Sequence, residues 1–311
     1  MTKPDFFIVG APKCGTTALC KYLNKHPKIF IPEIKELHYF GADLNGKKHA
    51  KSLAEYLVFF QEGQNCLCGE GTVWYLFSKH AAQEIYDFNP NAKIIIMLRE
   101  PVALLYALHS QHLFNGSSED IQDFQQALDA EAQRKLGKRI PPKCQAPEIL
   151  FYREVVKFTE QVQRYLDTFG SAQVKVIIFD DFQADTAKVY RETLEFLRVE
   201  PDFQTEFVKM NTNKRVRSVA IQQIIKYPPS RILEIGKFFV PLPRSARRYL
   251  LESFKETIKR FNTQKVPRPP LSPELRRSLQ QEFAPEIKRL SALLGRDLTY
   301  WSEDASTSGL R

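Results

Sequence analysis

Cysteine is scarce in this chain and falls in no metal-binding pattern. The five cysteines (Cys14, Cys20, Cys66, Cys68, Cys144) are an odd number, and Cys66-x-Cys68 has no second pair to complete a zinc shell. A disulfide scaffold and a zinc module are both disfavoured, and the pattern reads as free thiols in a reducing compartment. Long apolar runs are also missing. No stretch approaches the roughly 20 residues a membrane-spanning helix needs, and no cleavable leader precedes the apolar run Phe6–Val9. These absences predict a cytoplasmic protein with no transmembrane segment. There is no internal repeat and none of the aromatic interleaving of an RNA-recognition surface, so a nucleic-acid partner is not expected.

One absence is local. A phosphate-binding loop of the G-x-x-x-x-G-K-[ST] kind carries lysine directly after its second glycine. The stretch Gly10-Ala11-Pro12-Lys13-Cys14-Gly15-Thr16-Thr17 keeps the glycine spacing behind a strand-like run, but Thr16 stands at the lysine position. The loop's lysine is Lys13, two residues before Gly15. A strand, a glycine-bracketed turn and a helix start still make an anion cradle, because backbone N–H groups and the positive helix end converge there. The displaced lysine raises the question of which group is transferred.

The 311 residues, 43% hydrophobic and 26% charged, are ordinary for a soluble globular protein and suffice for one large α/β domain or two small ones. Short apolar runs predict strands at Asp5–Val9, Ile29–Ile31, Cys66–Glu70, Lys93–Leu98 and Lys175–Phe179. Helical patterns lie between and after them, at Thr17–Lys25, Lys51–Gln61, Lys79–Asp87, Val102–Phe114, Glu119–Leu136, Glu148–Thr168 and Thr186–Leu197. This alternation predicts a P-loop-like parallel sheet flanked by helices, with ligands beyond the carboxyl ends of the strands. Lys13, the Glu33–His38 loop, Glu70, Arg99 and Asp180-Asp181 fall there. After residue 210 the pattern turns helical and proline-punctuated (Pro228-Pro229, Pro241, Pro243), and Ser272–Leu294 reads as a long amphipathic helix stopped by Gly295. The expected organisation is one domain over 1–301, with a helical C-terminal third from about 210 and a frayed polar tail over 302–311.

The net charge of +9 is concentrated. Residues 209–268 hold fifteen Lys/Arg and three Asp/Glu, a local +12 that leaves −3 for the rest. Arg244, Arg247, Arg248, Lys255, Lys259 and Arg260 form either a solvated helical face or a surface for an anionic partner, including peripheral contact with a membrane.

In phosphoryl-transfer loops the lysine reaches the terminal phosphates and a Ser/Thr with a strand-end acid holds Mg²⁺. Thr16-Thr17 supplies hydroxyls here and Asp180-Asp181 falls at the place of such an acid, so a Mg·ATP-dependent small-molecule kinase is one reading. Lys13 with Arg99 instead suits an anionic donor that needs no metal: a sulfuryl group carries less charge than a phosphoryl group, and side chains with backbone amides suffice for it. A noncatalytic anion- or membrane-binding module built on 209–268 is the third reading.

The stretch FFIVGAPKCGTTALCKYLNKHP resembles the 5′-phosphosulfate loop of sulfotransferases that use 3′-phosphoadenosine 5′-phosphosulfate (PAPS), and KIIIMLREPVALLYALH is similar to their 3′-phosphate motif. PEIKELHYF resembles the Lys-Glu-x-His-Phe-Phe segment of heparan-sulfate-type and bacterial members, MNTNKRVRS their late basic loop, and LLGRDLTYW the usual bacterial C-terminus. The likeness runs in order from about Asp5 to Trp301. It implies that Lys13 bridges the 5′-phosphate and sulfuryl oxygens, and that Gly15, Thr16 and Thr17 hold the 5′-phosphate. It further implies that Arg99 binds the 3′-phosphate with Lys214, Arg215 and Arg217 closing over that end. Glu36 is then the general base, no metal is required, and the acceptor is a hydroxyl or amine of a small molecule, secondary metabolite or glycan. His38 is the rival base; its spacing from Glu36 puts both on one face of an extended segment, and a structural hydrogen-bonding role is its other reading. Two departures stand out. Ala107 occupies the place of a usual 3′-phosphate serine, with Ser110 one turn on, and Gly71 occupies the place of a second catalytic lysine, leaving Lys35 or another cation to compensate. Trp74 and Tyr75 read as pocket lining or as core, Tyr152 as an aromatic near the cofactor by the resemblance or as a helix-face core residue, and Asp180-Asp181 as caps of the following turn.

Overall fold

In the computed structural model the described residues are 2–116, 118–208, 214–218, 221–222, 257–258 and 260–303. By packing, the chain divides into a unit of 1–108, 145–210 and 271–311 and a unit of 109–144 and 211–270.

The first unit holds five strands: β1 (Phe6–Gly10), β2 (Ile29–Phe30), β3 (Leu67–Gly71), β4 (Lys93–Leu98) and β5 (Val174–Ile178). They form one sheet in the order β2-β3-β1-β4-β5, every pairing parallel. β1 and β4 are fully enclosed apart from Lys93, which explains their continuous apolar runs: a strand covered on both faces has no polar side to show. The chain leaves β1 for β2 on one side of the sheet and later crosses to β4 on the other. The end of β1 is therefore the point at which strand order reverses, where open parallel sheets present a crevice. The first helices in chain order are α1 (Thr16–Leu23), α2 (Leu53–Val58), α3 (Ala81–Phe88) and α4 (Pro101–Asn115), and around the sheet run α1, α3, α8 (Phe158–Phe169), α10 (Thr186–Leu197) and the C-terminal helix Pro273–Leu294. α10 is capped by Asp185, whose side chain accepts from the Lys188 N–H at 2.9 Å.

Three expectations change. Glu119–Leu136 is two short helices, α5 (Phe124–Asp129) and α6 (Glu131–Lys135), because Asp123 caps the first and Glu119 is drawn instead into a buried bidentate pair with Arg134. Glu148–Thr168 is broken into a 3-10 turn, α7 (Tyr152–Val155) and α8, interrupted at Phe151 and Lys157. Past residue 210 the chain is not helical throughout: β6 (Lys214–Val216) pairs antiparallel with β7 (Thr263–Lys265), and Asn262 fastens the segment by accepting from Arg217 N–H at 2.8 Å. The segments with Pro228, Pro229, Pro241 and Pro243, together with Arg244, Arg247, Arg248, Lys255, Lys259 and the tail from residue 304, lie outside the described residues. Among the described residues no helix is long and apolar enough to cross a membrane.

Candidate active site

β1 delivers the chain into the glycine-bracketed loop. Gly15 closes it at φ +88°, and a Cβ there would stand 3.0 Å from the Phe179 ring, so this position needs glycine for both conformation and space. Gly15 is also the N-cap of α1; no side chain caps it and the first turn has no acid. The positive end of α1 is thus presented to the loop, with Thr16 buried and Thr17 half-buried beside it. Lys13 sits inside the turn at φ +64°. Its carbonyl accepts from Arg99 Nη1 at 3.2 Å, and the Arg99 guanidinium lies 4.7 Å over the Phe179 ring. One residue past β4, Arg99 therefore latches the loop and spends one of its five donors on it.

The segment after β2 packs over the end of β3. Glu36 N–H donates to Gly71 O at 3.1 Å, and the Glu36 carboxylate accepts from Val73 N–H at 3.0 Å. Lys35 Nζ lies 3.9 Å from Glu36 Oε1 and donates to Thr17 Oγ1 at 3.5 Å, so one side chain links Glu36 to the first turn of α1. His38 Nε2 is 4.0 Å from Glu36 Oε2. The segment is not the extended one expected: Glu36 and His38 both take left-handed backbone, at φ +62° and +52°. Lys13, Glu36 and His38 make up three of the five described non-glycine residues with positive φ. Such conformations cost about 1–3 kcal/mol each and concentrate at functional sites.

The two candidate bases are driven apart. Desolvation raises the Glu36 pKa, against the opposing pull of Lys35 and the Val73 N–H, although a third of the side chain still meets solvent. Desolvation, with His49 and Lys48 nearby, lowers His38 to about 4; Glu36 at 4.0 Å is too distant for a direct hydrogen bond.

Behind this segment lies a buried network that the sequence alone does not reveal. The Glu70 carboxylate accepts from the Tyr56 hydroxyl, from Thr72 Oγ1 at 2.7 Å and from the Tyr75 hydroxyl at 2.8 Å. The Tyr75 oxygen in turn accepts from the N–H groups of Tyr39 and Phe40, at 3.0 and 3.3 Å. Tyr75 is thus core, and through it β3 holds the backbone that follows His38. Tyr152 is also fully buried, as its helical position suggests. Ala107 is buried at 2% exposure and offers no polar group. Asp180 and Asp181 do not cap the turn that follows β5: they lie in the first turn of α9 (Phe179–Ala184), whose start no side chain caps. Asp180 accepts from Trp301 Nε1 at 2.8 Å and the Tyr300 hydroxyl at 3.0 Å, and Asp181 forms a two-point pair with Arg296. The acid that the kinase reading requires is therefore committed to the C-terminal segment.

A model of the sulfotransferase domain matches residues 3–241. A solved sulfotransferase from Alicyclobacillus acidocaldarius is similar at TM-score 0.70 and 29% identity, covering 97% of this chain and 100% of its own. A membrane-associated sulfotransferase of Dictyostelium discoideum is 39% identical over 101 residues, 32% of this chain and 21% of that protein. The mouse bifunctional heparan sulfate N-deacetylase/N-sulfotransferase 4 is 26% identical over 211 residues, 64% of this chain and 23% of that protein. Human carbohydrate sulfotransferase 15 is 29% identical over 163 residues, 39% of this chain and 28% of that protein. The chain thus spans 21–28% of the length of these curated relatives.

Proposed function

The chain belongs to the sulfotransferase family, and from that footing we propose that it moves a sulfuryl group from PAPS to an acceptor hydroxyl or amine, releasing adenosine 3′,5′-bisphosphate. The observation that carries this reading is the link between base and cradle: Lys35 spans Thr17 of the loop helix and Glu36 at 3.5 and 3.9 Å. The uncapped end of α1, Lys13 and Arg99 suit an anionic donor, which when bound supplies a sulfuryl group on a phosphate leaving group. In this reading the backbone of Gly15, Thr16 and Thr17 holds the 5′-phosphate. Lys13 neutralises charge that builds on the leaving oxygen, and Arg99 holds the 3′-phosphate. Lys214, Arg215 and Arg217 are assigned to that same end by the resemblance alone.

Glu36 takes the acceptor's proton on its carboxylate. A general base works best with a pKa near the working pH; the raised Glu36 meets that condition better than His38, whose imidazole at about 4 is a weak base. His38 then borders the proton-accepting side of the site. Relatives named for heparan sulfate and carbohydrate make a glycan the first acceptor class to screen, ahead of small molecules and secondary metabolites. A cytosolic setting and peripheral membrane contact through 209–268 belong to the same proposal; fractionation and salt-sensitive binding to anionic vesicles test them.

Calorimetry with adenosine 3′,5′-bisphosphate in EDTA is the direct test, with binding expected and no competition from Mg·ATP. In a PAPS-coupled acceptor screen, Lys13→Ala is expected to lower turnover at least about 100-fold. Glu36→Gln is expected to cost roughly 100- to 10,000-fold in rate while bisphosphate affinity is kept. A Glu36→Gln enzyme of full rate beside an inactive His38→Ala enzyme would reverse the base assignment.

A further inference from the structure

We propose that Lys35 is a second catalytic cation whose ammonium group touches the sulfuryl group as it passes from donor to acceptor; the inference rests on the sulfuryl-transfer reading above. Lys35 Nζ stands 3.5 Å from Thr17 Oγ1 and 3.9 Å from Glu36 Oε1. The first of these atoms belongs to the helix turn that cradles the leaving phosphate, the second to the base that faces the acceptor. In an in-line displacement the sulfur travels between those two places, so an amine bridging them lies alongside its path. The Lys35 side chain is only 17% exposed, and a cation withdrawn from water acts more strongly on developing charge.

Gly71 makes this position available. A Cβ on Gly71 would lie 2.9 Å from Lys35 Cε, 3.5 Å from Nζ and 2.8 Å from Cys20 Sγ. Any side chain on the last residue of β3 would push the lysine away from Thr17 or drive Cys20 back into α1. The two segments are also locked together, since Glu36 N–H donates to the Gly71 carbonyl at 3.1 Å. Lys35 thus reaches the site across bare backbone, entering from the β2 side over the end of β3. In the step itself the acceptor's oxygen or nitrogen forms a bond to sulfur. The bond from sulfur to the 5′-phosphate oxygen breaks with its electron pair left on that oxygen, and the acceptor's proton goes to Glu36. Lys35 keeps its own proton throughout and balances charge on the sulfuryl oxygens, while Lys13 faces the leaving oxygen.

A different role for the same geometry is that Lys35 only holds Glu36 ionised. Lys35→Met fills the space over Gly71 without a charge, and Lys35→Arg restores one. The readouts are affinity for PAPS, affinity for adenosine 3′,5′-bisphosphate (which lacks the sulfuryl group), and sulfate release from PAPS with water as acceptor. Lys35→Met is expected to bind the bisphosphate as the parent does but to lose about tenfold in PAPS affinity, the size of one charged hydrogen bond. Sulfate release is expected to fall about 100-fold, and Lys35→Arg to recover most of both. An unchanged ratio of PAPS to bisphosphate affinity in Lys35→Met overturns the proposal, and so does a defect confined to the acid limb of the pH–rate profile. Loss of both ligands makes Lys35 structural and ends the proposal too. If the parent enzyme itself binds no bisphosphate and consumes no PAPS, the sulfuryl-transfer reading fails, and that outcome is distinct from a failure seen only in the Lys35 variants.

Discussion

Glu70 ends up neutral or charged according to a balance its neighbours set. Burial removes the water that would stabilise its carboxylate, and the resulting desolvation outweighs three hydroxyl donors and raises the pKa to about 7, with Glu36 adding a smaller push. In an unfolded chain the same group titrates near 4.5. Between these values the folded state holds a proton that the unfolded state has lost. The contribution to stability is therefore full below pH 4.5 and fades as pH rises to about 7, a loss of about 3 kcal/mol across the window. Glu70→Gln cannot ionise, and the surrounding hydroxyls can turn to accept from its amide. Urea unfolding at pH 5 and pH 8 is expected to show a smaller difference for Glu70→Gln than for the parent; equal differences would mean that Glu70 does not titrate in this window.

The elements that close the first unit are joined by bonds of unequal worth. α9 meets the short 3-10 turn Thr299–Ser302 through Asp180 and Asp181, but the two carboxylates do different jobs. Asp181 and Arg296 are both more than 40% exposed, and such pairs contribute about 0–1 kcal/mol. Asp180 satisfies the indole N–H of Trp301, which is 2% exposed, and an unsatisfied buried donor costs about 1–3 kcal/mol. Removing the indole itself leaves a cavity worth about 3–5 kcal/mol. Chemical denaturation is expected to rank the losses Trp301→Ala, then Asp180→Ala, then Asp181→Ala. A dominant Asp181→Ala effect would show that the surface pair carries the joint.

At the scale of the molecule, the helix Pro273–Leu294 belongs to the same packed unit as the sheet, although its start lies 250 residues past the end of the loop helix at Leu23. Ser272 caps it by accepting from Leu275 N–H at 3.2 Å, Gly295 ends it in the left-handed region, and Leu279, Phe283, Ile287 and Leu290 are buried along one side. Glu286 accepts from the Thr159 N–H at 2.7 Å and so ties it to the start of α8. Burying four such side chains supplies roughly 6–12 kcal/mol, comparable to the whole stability of a typical domain. A chain ending at residue 271 is therefore expected to lose its cooperative thermal transition and to bind no bisphosphate. A sharp melt near the parent's temperature in that truncation would contradict this account.

All five strands of the sheet were readable within about one residue, as was α10. Their signals are local: continuous β-branched and aliphatic runs for strands covered on both faces, and a regular apolar face opened by a capping Asp185. The loop Gly10–Thr17 was legible for the same reason, since glycine spacing and a following helix are matters of adjacent residues. The broken helices near 130 and 151–157 were not, because a buried Glu119–Arg134 pair and chain packing override helical periodicity. Nor was the pairing of Lys214–Val216 with Thr263–Lys265, whose partners are some fifty residues apart in sequence. Asp180 and Asp181 looked like candidate acids until the C-terminal segment claimed them. The resemblance offered Lys35 as one cation that could compensate for the lysine missing at Gly71, but the two lie 36 positions apart, and only the parallel pairing of β2 with β3 brings the lysine over the glycine. The amino-acid order determined which chemistry was possible, through a lysine moved within an anion loop. The fold decided which carboxylate, amine and hydroxyl stand together, because side chains from separate strand ends meet only where a parallel sheet gathers them at one edge.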